Sequence, residues 1–66
     1  MIIRVNGRDR EVLAAITIAG LLNELNLTPE GVVVELNRTI LRSKEELGQR
    51  LQEGDALELI RFVGGG

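Results

Sequence analysis

The stretch MIIRVNGRDREVL, residues 1–13, predicts a β-hairpin at the start of the chain. An Asn-Gly pair between two strands is the strongest short hairpin signal, because Asn6 and Gly7 both accept positive φ angles. In a two-residue hairpin Val5 faces Arg8, and the residues on either side pair outwards from there. One face of the hairpin is then apolar and belongs to the core: Met1, Ile3, Val5 and Val12. Arg10 interrupts that face, and we expect its stem to cover the core while its head reaches water.

A helix is predicted after the hairpin. Thr17 can cap it by accepting a hydrogen bond from a first-turn backbone N–H. Asn26 can adopt a left-handed conformation and end it. Between them, apolar residues recur at i, i+3, i+4 and i+7, which is one stripe of an α-helix: Ile18, Leu21, Leu22 and Leu25.

Three more strands follow, at residues 32–36, 39–41 and 56–63. Asn37-Arg38 joins the first two tightly, and Ser43 and Glu46 have the capping-box spacing of a short helical turn. A sheet with one helix on one face suits so small a chain, and its first and last strands can lie parallel in the middle. The predicted class is therefore α+β, with a mixed sheet of four to five strands and one main helix packed on one face.

The 66 residues form one domain, which we expect to comprise residues 1–63, followed by a flexible glycine tail at residues 64–66. Glycine has no side chain to bury and loses the most backbone entropy on ordering. A thin tail that ends in a carboxylate can enter a narrow cleft on another protein. The alternative is a frayed terminus without a function, since disorder concentrates at chain ends.

Composition excludes several function classes. The chain has no cysteine and no histidine, so thiolate and imidazole metal ligands and nucleophiles are excluded. The ten carboxylates are distributed as on a solvated surface, and no cofactor or metal site is predicted. One aromatic residue and a net charge of −2 without a basic stripe argue against nucleic-acid binding. No apolar run is long enough for a membrane span and no signal peptide is visible, so the expected location is the cytoplasm.

The last strand predicts a partner surface. Its alternation directs Leu57 and Leu59 towards the helix and places Ile60 and Phe62 on the face that the helix leaves open. Val33 and Ile2 are out of phase with the core set and are expected to join them. The alternative is that a bulge reverses the phase and buries Phe62, or that a side loop covers it.

Four segments together resemble the ThiS family, small sulfur carriers of thiamine biosynthesis with a ubiquitin-like β-grasp fold. They are IRVNG at residues 3–7, VELN at residues 34–37, the Arg42-Ser43 step, and EGDALELIRFVGGG at residues 53–66. The chain departs from the family at Arg38, where glycine is frequent, and at Leu41, where proline is common.

The resemblance implies a carrier rather than an enzyme. The carboxylate of Gly66 would be adenylated by an E1-like enzyme (ThiF-like) that uses ATP and Mg²⁺, and neither ATP nor metal would bind this chain. A sulfur donor protein would convert the adenylate to a thiocarboxylate, which a thiazole synthase (ThiG-like) would use. Gly64 and Gly65 would let the tail lie flat in the partner's channel. The small subunit of molybdopterin synthase, and a β-grasp interaction module with an inert tail, remain alternatives.

Overall fold

The computed structural model describes residues 1–61, which form five strands and one α-helix. The strands are β1 (Ile2–Val5), β2 (Arg8–Glu11), β3 (Val32–Leu36), β4 (Thr39–Ile40) and β5 (Ala56–Arg61), and the helix is α1 (Ile18–Glu24). Two short 3₁₀ helices, Pro29–Gly31 and Lys44–Gly48, lie in the connections.

The strands form one mixed sheet in the order β2-β1-β5-β3-β4. β1 pairs antiparallel with β2, in the register that the sequence predicted, with Val5 opposite Arg8. β5 lies in the centre, parallel to β1 and antiparallel to β3. The predicted α+β class, the parallel pairing of the first and last strands and the single helix are confirmed.

Both hairpin turns use two successive residues with positive φ. These are Asn6 and Gly7 between β1 and β2, and Asn37 and Arg38 between β3 and β4. Two-residue turns of this kind match the right-handed twist of the strands that they join. The two turns lie on either side of β5.

The helix begins and ends where the sequence predicted. The hydroxyl of Thr17 accepts a hydrogen bond of 3.0 Å from the backbone N–H of Gly20. At the other end Asn26 has φ of 59°, and the N–H of Leu27 donates to the carbonyl of Leu22 at 2.9 Å. This is a Schellman-type end, which satisfies carbonyls that the last turn leaves free.

The core lies between α1 and one face of the sheet. Its fully buried side chains are Ile3, Ile18, Leu21, Leu22 and Leu57. Arg10 differs from the expectation, because its guanidinium lies 3.6 Å from Glu24 at the end of α1, with both side chains about 40 % exposed. The head is thus in an ion pair at the edge of the core rather than free in water, and α1 supplies the partner.

No helix in residues 1–61 has the length and apolar character needed to cross a membrane.

Candidate functional site

Part of the predicted site lies outside the described residues. Phe62, Gly64, Gly65 and Gly66 belong to residues 62–66, so their predicted roles stay predictions. The described part of β5 ends at Arg61, which pairs with Val32 of β3. The described part of the site therefore ends at Arg61, the residue before Phe62.

The open face of the sheet carries an apolar cluster beside the end of β5. Ile60 is 56 % exposed and lies directly opposite the half-buried Val33. Side chains directly opposite each other in an antiparallel pair lie about 5 Å apart. The structure thus brings Ile60 and Val33 together on the face opposite to α1.

Ile40 belongs to this cluster, and the sequence reasoning missed it. Ile40 is 45 % exposed and pairs with Glu35, one step along the open face from Val33. A diagonal neighbour of this kind lies about 7–8 Å away, within reach of a long side chain. The sequence signal was weak, because β4 has only two residues and the face of Ile40 follows from its neighbour Leu41, which packs against the core. We call Val33, Ile40 and Ile60 the open-face cluster.

Ile2 does not join the open-face cluster. It is 40 % exposed, but its carbonyl accepts a hydrogen bond from Gly54, at the opposite end of β5 from Ile60. Ile60 lies six positions after Gly54, which corresponds to about 20 Å of extended chain at 3.3 Å per residue. Ile2 and Ile60 are therefore at different ends of the open face, because β1 and β5 are parallel and β1 begins at the level of the turn before β5.

Two carboxylates lie next to the open-face cluster. Glu35 and Glu58 are direct cross-strand partners on β3 and β5. Like charges directly opposite each other destabilise a sheet. The nearby Arg4 forms its ion pair with Asp9, at 3.7 Å between Nε and Oδ1. The open face therefore presents an apolar cluster beside an acidic pair.

A third ion pair connects the segments on either side of β3 and β4. Nζ of Lys44 is 2.9 Å from a carboxylate oxygen of Glu30, and this pair joins the two 3₁₀ helices. The hydrogen bond from Lys44 holds the pKa of Glu30 below its usual value, and the same bond raises the pKa of Lys44. Glu30 lies two residues before Val32, so this pair lies just before the start of β3 in the chain.

Two asparagine side chains hold β5 from opposite sides. The side-chain oxygen of Asn37 accepts from the N–H of Ala56 at 3.0 Å, and that of Asn6 accepts from the N–H of Leu59 at 2.8 Å. The amide of Asn37 also donates to Asp55 at 3.1 Å. Each hairpin turn is thus fastened to the strand that leads to residues 62–66.

Within residues 1–61 no three His, Cys, Asp or Glu side chains are grouped so that they could hold a metal ion. The candidate site is accordingly the open surface beside the end of β5, and the described residues around it hold no such metal-binding group.

Two thiazole synthases are similar to this chain. That of Magnetococcus marinus is 38 % identical over 66 residues, which is 100 % of this chain and 20 % of the relative. That of Paramagnetospirillum magneticum is 36 % identical over 62 residues, which is 94 % of this chain and 19 % of the relative. The chain therefore spans about a fifth of the length of these relatives.

A solved structure has the same fold. The thiamine biosynthesis protein (ThiS) of Geobacter metallireducens superposes with a TM-score of 0.81 and 33 % sequence identity, over 100 % of both chains. The family model described as the ThiS family matches residues 3–66. The fold is thus the β-grasp fold that the sequence predicted, and the chain belongs to the ThiS family.

Proposed function

We propose that this chain is a sulfur carrier of thiamine biosynthesis, and that Gly66 bears the reacting carboxylate. The observation that carries the proposal is the family match, which runs over residues 3–66 and so includes the whole glycine run. The thiamine biosynthesis protein of Geobacter metallireducens, which matches over its full length, supports the same pathway.

The proposed chemistry begins with activation of the carboxylate, because a carboxylate anion is a poor electrophile. An oxygen of the Gly66 carboxylate attacks the α-phosphorus of ATP, and pyrophosphate leaves. The terminal sulfur of a persulfide on the donor protein then attacks the carbonyl carbon, and AMP leaves with one of the former carboxylate oxygens. A thiol of a partner protein next attacks the donor's sulfur in the resulting acyl disulfide, which breaks the S–S bond and leaves the partner and donor joined by a disulfide. The product is a C-terminal thiocarboxylate, and the partner supplies the site for ATP and Mg²⁺.

The proposed partners are an E1-like adenylating enzyme (ThiF-like), a sulfur donor protein and a thiazole synthase (ThiG-like). The thiazole synthases of Magnetococcus marinus and Paramagnetospirillum magneticum each contain a segment similar to at least 94 % of this chain. That similarity favours thiazole formation over molybdopterin synthesis as the use of the sulfur.

The open-face cluster and the acidic pair are the proposed docking surface. Val33, Ile40 and Ile60 form a contiguous apolar area, and such areas beside polar residues mark partner surfaces. Glu35 and Glu58 would favour a partner with a basic side chain at the matching position. Phe62 is expected to extend the same surface, and the tail at residues 64–66 would pass into the partner's channel.

The test is thiocarboxylate formation on the intact protein. The chain is incubated with ATP, Mg²⁺, the adenylating enzyme and a sulfur donor, and its mass is measured. The expected result is a gain equal to the difference between sulfur and oxygen. An unchanged mass, with an adenylating enzyme that is active on another ThiS-family protein, would contradict the proposal.

Two variants make the test specific. Deletion of Gly66 should abolish the mass gain while the thermal unfolding midpoint stays the same. Gly48→Ala is the matched control, because its new Cβ meets nothing within 4 Å and it lies far along the chain from the tail. Supplying the sulfur-loaded chain to thiazole synthase, and to molybdopterin synthase from which the small subunit has been removed, then distinguishes the two pathways.

A further inference from the structure

The central strand extends beyond the strand that pairs with it on one side. β1 ends at Val5, which lies beside Leu57, while β5 continues to Arg61. Four residues of a strand span about 13 Å. Over that length β5 keeps β3 as its neighbour on the other side, as far as Val32 opposite Arg61.

The hydrogen bonds show which backbone groups face the side where β1 has ended. The carbonyl of Leu57 accepts from the N–H of Asn6 at 2.9 Å, and the N–H of Leu59 donates to the side chain of Asn6 at 2.8 Å. Ala56 bonds to Asn37 on the opposite side. Because a strand alternates between its neighbours with a period of two, the carbonyl of Leu59 and the N–H of Arg61 point the same way as Leu57.

The Asn6 side chain therefore accepts the last hydrogen bond observed on this side of β5 among residues 1–61. Its oxygen stands where the next backbone carbonyl of a longer β1 would stand. Beyond it, among residues 1–61, no strand pairs with this edge of β5. The Leu59 carbonyl and the Arg61 N–H are thus an acceptor and a donor in the geometry that a parallel or antiparallel strand requires.

We propose that the adenylating partner adds an extended segment of its own backbone to this edge of β5. The inference rests on the proposed function, since it names the partner that activates the tail. The edge lies one residue before Phe62, so a strand bound there would fix the chain direction as it enters residues 62–66. The side chain of Ile60 lies on the open face, so the same partner would contact it while bound to the edge.

The short edge argues for a partner rather than for a second copy of this chain. Only Leu59 to Arg61 are available, and a pairing of so few residues is weak by itself. Short edges also limit association of identical chains. A partner that contacts the open-face cluster as well supplies the remaining binding energy. A backbone contact of this kind would recognise the chain independently of the side chain at position 61.

The first test is residue-resolved amide hydrogen exchange of the full chain, free and bound to the adenylating enzyme. The Leu59 amide, which bonds to Asn6, should be protected in both states and serves as the internal control. The Arg61 amide should exchange fast in the free chain and at least about tenfold more slowly in the complex. Protection that appears without the enzyme and grows with chain concentration would overturn the proposal in favour of a second copy.

The second test compares Arg61→Pro with Arg61→Ala. Both remove the guanidinium, but only proline removes the backbone N–H, and proline is tolerated at strand edges. We expect Arg61→Pro to bind the enzyme about tenfold more weakly than Arg61→Ala, with equal thermal stability. Equal affinity of the two variants for the enzyme would overturn the proposed backbone contact at this edge. The carrier function would still stand if the wild-type chain gained sulfur normally. A wild-type chain that neither binds nor gains sulfur would contradict the carrier function itself.

Discussion

The side-chain oxygen of Asn6 accepts a hydrogen bond of 2.8 Å from the backbone N–H of Leu59, 53 positions along the chain. Asn6 thus has two roles, since its φ of 51° also makes the turn between β1 and β2. The bond connects the first hairpin to β5, the last described strand. A local turn residue therefore contributes to a long-range contact.

Asn6→Gly separates these two roles. Glycine keeps the positive φ but leaves the N–H of Leu59 without its acceptor, which costs about 1 kcal/mol. For a domain of this size we expect the unfolding midpoint to fall by about 4–8 °C, measured by circular dichroism. Asn6→Asp retains an acceptor oxygen and should lose less. Equal midpoints for the glycine variant and the wild type would show that the bond adds nothing to stability.

Arg38 and Asn37 should respond to glycine in opposite directions. Both have positive φ, 73° and 48°, but only the Asn37 side chain bonds to β5. A left-handed conformation costs an ordinary residue about 1–2 kcal/mol, and glycine avoids that cost. Part of the gain is offset, because glycine loses more backbone entropy than other residues when the chain folds. Arg38→Gly should therefore stabilise the fold by about 0.5–1 kcal/mol in urea unfolding.

Asn37→Gly is the matched variant, and it should destabilise the fold by about 1 kcal/mol or more, because Ala56 and Asp55 both lose a partner. If Arg38→Gly and Asn37→Gly changed the free energy of unfolding in the same direction, the hydrogen bonds of the Asn37 side chain would not account for the difference expected between the two positions.

The sequence predicted the elements whose signals are local. The Asn-Gly turn, the Thr17 cap and the apolar stripe from Ile18 to Leu25 each depend on residues within a few positions, and all three are confirmed. The ion pair of Arg10 with Glu24 was not predicted, because it depends on where α1 crosses the sheet. Hairpin register alone does not specify that position.

The open-face cluster was predicted only in part, because its composition also depends on how the strands are arranged. Alternation placed Ile60 and Val33 on one face, but whether they meet depends on the pairing of β5 with β3. Ile2 shares the face and lies at the other end, since strand order and stagger decide distance along a sheet. Ile40 was missed because a two-residue strand offers little alternation to read.

Ile60→Ser should separate docking from stability. The side chain is 56 % exposed and has one cross-strand partner, Val33, so its loss should lower the free energy of unfolding by no more than about 1 kcal/mol. Loss of an apolar contact at the centre of a docking surface should weaken binding to the adenylating enzyme by about tenfold, measured by calorimetry. Leu13→Ser is the control, because Leu13 is 77 % exposed and lies outside the open-face cluster. A large loss of stability with unchanged affinity would place Ile60 in a structural role.

Glu58→Gln should raise stability and lower partner affinity together. Removing one charge relieves the repulsion from Glu35 directly opposite, which is worth about 0.2–1 kcal/mol. The same change removes a charge that a basic partner would meet, so association should slow and depend less on salt. Stopped-flow association with the adenylating enzyme measures both effects. Glu11→Gln, on the edge strand β2, is the control, and an equal effect of the two variants would point to net charge rather than to the acidic pair.

The ion pair between Lys44 and Glu30 should make its contribution to stability only between two pH limits. The folded-state pKa of Glu30 is lowered from 4.5, so this contribution is present above that value and is lost as pH falls through the folded-state pKa. The pKa of Lys44 is raised from 10.5, so the contribution is present below that value and is lost as pH rises through the folded-state pKa. In Lys44→Met the pKa of Glu30 should return towards 4.5, as followed by the carboxyl carbon signal in an NMR titration. Arg50→Met, which removes an exposed cation elsewhere, should leave the Glu30 titration unchanged, and an equal shift in both variants would assign the effect to net charge instead of the 2.9 Å contact.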